Sequence, residues 1–131
     1  MKPVRIALAT SVLVLTSSCG GAGGPAPAAT APYAALVRGL CQARASAGDP
    51  DQARRAFFDN AHQPLHELAA AAAAGDRVAA ARLLEAKQAV EGDLAGDPAR
   101  LGVDIDLLIE ATRGALAAVG QPPPRPCQEA P

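Results

Sequence analysis

Gly96-Asp97-Pro98-Ala99-Arg100-Leu101-Gly102-Val103-Asp104-Ile105-Asp106-Leu107-Leu108-Ile109-Glu110-Ala111-Thr112-Arg113-Gly114-Ala115-Leu116 is the stretch that decides the fold class. It opens with a stop and a start. Glycine ends one helix, aspartate offers a side-chain oxygen to the free N–H groups of the next, and proline suits a first helical position, where its missing N–H costs nothing. Leu101, Ile105, Leu108, Ile109, Thr112 and Leu116 then recur at intervals of three and four residues, the period of one buried helical face. A second line, Val103, Leu107, Ala111, Gly114 and Ala118, runs roughly opposite the first. A helix apolar on two sides is either central or touches a partner. In a lone bundle every helix keeps a solvent face, so this second line is a candidate surface for a protein partner or a second copy of the chain, the rival reading being alanine-rich filler in which only Val103 and Leu107 are large.

The same punctuation stands at Gly48-Asp49-Pro50 and, without proline, at Gly75-Asp76. It divides the chain into four helical segments near residues 31–47, 50–74, 77–94 and 98–119. Thr30 and Pro32 suit the start of the first, whose stripe is Tyr33, Leu36, Val37 and Leu40. In the second, Phe57, Ala61, Leu65, Leu68 and Ala72 keep helical phase on both sides of Pro64. An interior proline costs about 3 kcal/mol, but the unbroken phase predicts one kinked helix rather than two. Leu83, Leu84, Val90 and Leu94 are the inward set of the third. Short loops make neighbours antiparallel, so the expected fold is all-α, an up-down-up-down four-helix bundle over residues 31–120. No stretch alternates with period two, which excludes a sheet.

The 131 residues carry a formal net charge of −1 and only three aromatic side chains, Tyr33, Phe57 and Phe58. The core must therefore come from Leu, Val, Ile and Ala, with helices packed close. Without clustered Lys and Arg the chain is no nucleic-acid binder. Residues 19–30, rich in Gly, Pro and Ala without periodicity, read as a flexible tether spanning some 20 Å. Residues 121–131 form a proline-rich tail.

At the N-terminus, Lys2 and Arg5 precede an apolar run over residues 6–15, about half the ~20 residues a membrane span needs. Leu15-Thr16-Ser17-Ser18-Cys19 then brings small residues up to a thiol. This leader resembles that of bacterial lipoproteins, whose lipobox commonly reads Leu-Ser/Ala-Gly/Ala-Cys. Here Thr16 stands where Leu is commonest, with Leu15 one place upstream. The resemblance covers the leader alone. It implies removal of residues 1–18 as a signal peptide, acylation (palmitate among the chains) of Cys19, and a domain anchored by lipid on the extracytoplasmic face of the cell membrane. Outside the cytoplasm the two remaining cysteines of a small domain usually pair. Gln121-Pro122-Pro123-Pro124-Arg125-Pro126-Cys127 is too proline-rich for helix, and at about 3.1 Å per residue it reaches some 20 Å. That is far enough to lay Cys127 against Cys41 at the start of an antiparallel bundle. The expected Cys41–Cys127 bridge contributes about 4 kcal/mol in the chain-entropy picture.

Chemistry-bearing residues are few. His62 and His66 stand one turn apart with Asp59 a turn earlier, a spacing at which two imidazoles and a third ligand, from Asp59 or another helix, hold a divalent ion such as Cu, Zn or Fe. Lys87 projects near the centre of an apolar stripe with Glu91 one turn on, so it must pair or snorkel. No phosphate loop, nucleophile elbow or Cys-X-X-Cys is present, and no catalytic residue is expected. The leading expectation is a membrane-anchored, non-enzymatic binding or accessory module, and the competing one is a metal-handling protein using His62 and His66.

Overall fold

Three helical segments begin where an aspartate meets backbone N–H groups that a first turn leaves unpaired. Asp49 accepts from Gln52 N–H at 3.1 Å, Asp76 from Val78 and Ala79 at 3.0 and 2.9 Å, and Asp97 from Ala99 at 3.0 Å. The structure, a computed structural model, describes residues 31–127. The expected signal peptide, Cys19 and tether lie outside the described residues, as do residues 128–131. The described chain is all-helical: α1 Ala31–Ala45, α2 Pro50–Asn60, α3 His62–Ala73, α4 Arg77–Ala95, a 3-10 turn Pro98–Arg100, and α5 Leu101–Ala118. The segment read as helical from Pro98 thus opens with a 3-10 turn. No helix among the described residues is long and apolar enough to cross a membrane.

The expectation of one continuous helix through Pro64 is corrected. The chain divides at Ala61, whose φ of −112° stretches the turn while the residue stays in the right-handed helical region, into α2 and α3. Pro64 has no N–H to offer the Asn60 carbonyl, and its ring crowds that carbonyl four residues back. The division is nonetheless short. Ala61 donates to Phe57 C=O at 2.9 Å and Leu65 donates to Ala61 C=O at 3.0 Å, so the phase of the apolar stripe survives it.

α1 packs on α2, α3 on α4, and α4 on α5, while α1 and α3 also touch α5. Phe57, Leu36, Leu40, Leu65, Leu68, Leu83, Val90, Leu101, Ile105, Leu108 and Leu116 are fully buried between them. Alanines at 43, 53, 61, 69, 72, 80 and 115 fill the spaces that larger side chains leave. The one buried hydroxyl among the described residues, Thr112 Oγ1, donates to Leu108 C=O at 2.7 Å and so carries no unmet polar atom into the core. Leu84 is corrected from the inward set. It is 43% exposed, because it sits about 100° round the helix from Leu83, which holds the buried line.

Gly120, at φ 71°, closes α5 in the left-handed conformation, with Gly120 N–H on Ala117 C=O at 3.0 Å and Gln121 N–H on Leu116 C=O at 2.9 Å. The tail then returns to α1, where Cys127 is bonded to Cys41 with Cα atoms 5.3 Å apart. Arg44 of α1 reaches Asp106 of α5 at 2.7 Å, and the Arg54 guanidinium of α2 donates to the Leu94 carbonyl at the end of α4.

α1 crosses the α2–α3 division at Gly39. A Cβ there would lie 2.6 Å from Asn60 Cβ and 3.3 Å from Ala61 N. Gly39→Ala is expected to destabilise the fold by about 1–3 kcal/mol through overpacking. Gly92→Ala, where an added Cβ meets nothing within 4 Å, is expected to stabilise it by about 0.5–1 kcal/mol through helix propensity. Urea unfolding followed by far-ultraviolet circular dichroism compares the two, and equal stabilisation by both would contradict the close approach.

Candidate functional site

α4 turns Ala80, Leu83, Lys87, Val90 and Leu94 inward. Its neighbouring face, Val78, Ala79, Arg82, Glu85, Ala86 and Ala89, meets Asp104, Leu107, Glu110, Ala111 and Gly114 of α5 across a groove of about 610 Å³, with Asp76 at one end. Alanines and a glycine form the floor, because side chains this small leave the two helices' outer edges unfilled. Val78 and Leu107, exposed by 61% and 54%, stand on the walls. Of the second line read on α5, Leu107, Ala111 and Gly114 line this groove, Val103 is exposed beyond it at 58%, and Ala118 packs partly against the core. The α4 wall escaped the reading of the sequence. Its signal was present as Val78, Arg82, Glu85 and Ala89 at helical spacing beside the inward stripe, but it mixes charge with alanine and so carries no hydrophobic contrast.

A second gathering lies where α3 meets α4. Lys87 is 4% exposed, and its Nζ donates to Glu91 Oε1 at 2.7 Å. His62 Nε2 reaches the same oxygen at 2.9 Å from across the helix pair. His62 also stacks edge-on with His66, ring centroids 5.0 Å apart, and lies 5.1 Å from the Phe58 ring. Burial alone pushes the Glu91 carboxyl up, but the hydrogen bond and charge of Lys87, joined by His62, outweigh it and hold the group below its ordinary value of 4.5. The structure thus brings His62 and His66 together. Asp59 is exposed, and among the described residues no three His, Cys, Asp or Glu side chains converge to hold a metal ion. The carboxylate oxygen that faces His62 already carries an ammonium.

A third polar contact sits at one end of the groove. Asp104 is 7% exposed and takes Arg100 Nη2 at 3.3 Å, and Asp93 of α4 lies against it with its Oδ2 buried and without a hydrogen-bond partner among the described residues. Burial, and then the neighbouring Asp104 carboxylate, push the Asp93 carboxyl above its ordinary 3.8, with Arg100 pulling the other way.

No protein-family model matches the chain, and neither a curated protein nor a solved structure matches it. The groove and the two polar clusters therefore stand on their own geometry.

Two stability measurements follow from that geometry. Glu91→Ala strands a buried ammonium, and because Glu91 itself is 29% exposed the loss is expected near 2–3 kcal/mol rather than the ~3–5 of a fully buried pair. Lys87→Met removes the charge together with its need for a partner and is expected to stay within about 1 kcal/mol of the parent. Urea midpoints rank the two, and the reverse order would show that the ammonium is not held by Glu91. The Glu91 contribution is present above pH 4.5 and is lost as pH falls through its lower folded value. Asp93 has the opposite sign, since its raised value gives stability that is present below pH 3.8 and lost as pH rises through the folded value. Asp93→Asn is accordingly expected to unfold at higher urea than the parent at pH 7 and at nearly the same urea at pH 3.5. A variant less stable at pH 7 would mean that the ionised carboxylate is itself a structural ligand.

Proposed function

We propose that this chain is a lipid-anchored extracytoplasmic lipoprotein that acts as a non-enzymatic binding module, docking a protein partner on the α4–α5 face. The observation that carries the reading is the groove itself. Exposed Val78 and Leu107 stand beside the groove's alanines and glycine, a combination that leaves apolar surface in water. The Lys87, Glu91 and Asp104 charges are all engaged in ion pairs within the chain, which speaks for structural rather than catalytic work. The lipobox-like residues at 15–19 support the anchor, and the pairing of Cys41 with Cys127 suits an oxidising compartment. In this reading α2 and α3 act as one bent column, so that five helices serve as the four columns of an up-down-up-down bundle, closed by the bridged tail.

The competing reading places Cu, Zn or Fe on His62 and His66. The contact in its favour is His62 Nε2 on a carboxylate of another helix, Glu91, at 2.9 Å. It is the weaker reading, because a cation there must displace Lys87 from the same oxygen.

Expression in a lipoprotein-processing bacterium tests the anchor and the function together. The parent chain is expected to incorporate labelled palmitate and to sediment with membranes, while Cys19→Ala loses the label and is released. A photo-crosslinking residue at Leu107 is expected to give a discrete adduct that the same probe at Gln42, on α1, does not give. Label-free membrane association would overturn the lipid anchor, and adducts identical at both positions would overturn the docking face. Calorimetric titration of the chain with the three metals is expected to show no tight site. A one-to-one site abolished in the His62→Ala, His66→Ala double variant would replace this reading with the metal one.

A further inference from the structure

We infer that the α4–α5 groove is built for a cationic amphipathic helix, one with a small-residue or leucine seam flanked by Lys and Arg. The inference rests on the docking reading above and names its partner class. The first ground is charge. Asp76, Glu85, Asp104 and Glu110 line the groove against a single Arg82. Asp104 is paired with Arg100, and Glu110 is paired at the surface with Arg113 at 3.4 Å, a pair worth little in water. Glu85 has no ion-pair partner among the described residues. Asp76 also caps α4, so with Arg82 in the lining and Arg100 and Arg113 at its margin the groove keeps a small net negative balance, the sign that draws a cationic partner.

The second ground is shape. The floor of Ala79, Ala86, Ala89, Ala111 and Gly114 runs along the two helices for several turns, and its walls carry Val78 and Leu107. An added Cβ at Gly114 meets nothing within 4 Å, so nothing in the chain itself asks for glycine there. A helix-interior glycine costs about 1 kcal/mol against alanine, which this sequence uses freely. Gly92 is equally open but lies outside the groove. Within the groove, the missing side chain leaves room for the backbone of an incoming helix, whose leucine seam meets Leu107 and Val78 in the helix-in-groove manner. A second copy of the chain is the less favoured occupant, because pairing this face with itself sets the Glu85 and Glu110 carboxylates against their own kind.

The test uses the full chain and two fluorescent 18-residue model peptides with the same Leu/Ala seam, one flanked by Lys and one by Glu. The Lys peptide is expected to bind, to weaken several-fold as salt is raised, and to lose about tenfold or more in affinity to Gly114→Leu. That variant fills the groove at an open position, and circular dichroism checks that it remains folded. The Glu85→Lys, Glu110→Lys double variant is expected to reverse the preference toward the Glu peptide. If both peptides bind the parent equally and Gly114→Leu weakens both, the groove is a docking site but the charge class is wrong. If Gly114→Leu changes nothing while the variant is folded, the docking reading falls with it. Sedimentation of the parent as a dimer that Gly114→Leu converts to monomer would make a second copy the occupant and overturn the cationic partner.

Discussion

The close crossing of α1 over the α2–α3 division sets the rest of the structure. Pro64 leaves the Asn60 carbonyl without its helical donor, and the helix parts at Ala61. α1 passes this division at Gly39, near enough that a single methyl group would collide with Asn60. With Phe57 the one fully buried aromatic among the described residues, this chain has little bulk to bridge a wide interhelical space. Its helices must approach until alanines and leucines touch, because an unfilled void forfeits dispersion contacts on every lining atom. One glycine thus lets α1 sit close, and the proline that breaks one helix fixes where the other crosses.

The polar groups near the core follow a consistent rule. Among the described residues Lys87, Asp104 and Thr112 are the buried polar ones, and each is satisfied by a group one turn away: Glu91 and the Leu108 carbonyl on the same helix, and Arg100 in the 3-10 turn that leads into α5. A partner held at i±4 is supplied as soon as the helix forms, before any tertiary contact exists. His62 is the exception, since it reaches Glu91 from another helix and adds inter-helix specificity to a pair that is otherwise local. Asp93 breaks the rule. Its side chain meets a second carboxyl, Asp104, and burial together with that approach favours a proton held on Asp93. That is a cost in stability which the helix pair carries at neutral pH.

Much of this architecture was legible because its signals are local. The Gly-Asp marks at 48, 75 and 96 place three interruptions between helices, and Leu101, Ile105, Leu108, Thr112 and Leu116 of the α5 stripe are buried as read, while Ile109 is only partly buried and Asp104 and Ala115 join the buried face. The division at Ala61 was not legible, because apolar phase carries across a one-residue break and periodicity alone cannot see it. Leu84 misled for a related reason: two adjacent leucines cannot both face inward, and hydrophobicity does not say which one yields. On the site, Leu107, Ala111 and Gly114 were visible as a second apolar line, whereas the α4 wall was not. A groove wall of alanine, arginine and glutamate looks like an ordinary solvated face until the partner helix is laid beside it. The contact of Glu91 with His62 needed three-dimensional proximity between α3 and α4, which no spacing within either helix encodes.

The same economy of side-chain volume accounts for both the tight interior and the open groove. Alanine inside a bundle draws helices together, and alanine on the outer edges of two packed helices leaves a trough between them, since nothing projects to fill it. Stability must then come from sources other than bulk. Aspartate caps at three helix starts satisfy otherwise unpaired donors. The Cys41–Cys127 bridge returns the tail to α1, and Arg44 with Asp106 joins α1 to α5. Apart from the Asp76 cap, which stands at one end of the groove, these ties lie outside its lining. A chain stabilised by caps, a covalent strap and close crossings is free to leave one helix pair unburied on its outer side. It does so where glycine, alanine and the exposed acidic side chains of Glu85 and Glu110 coincide.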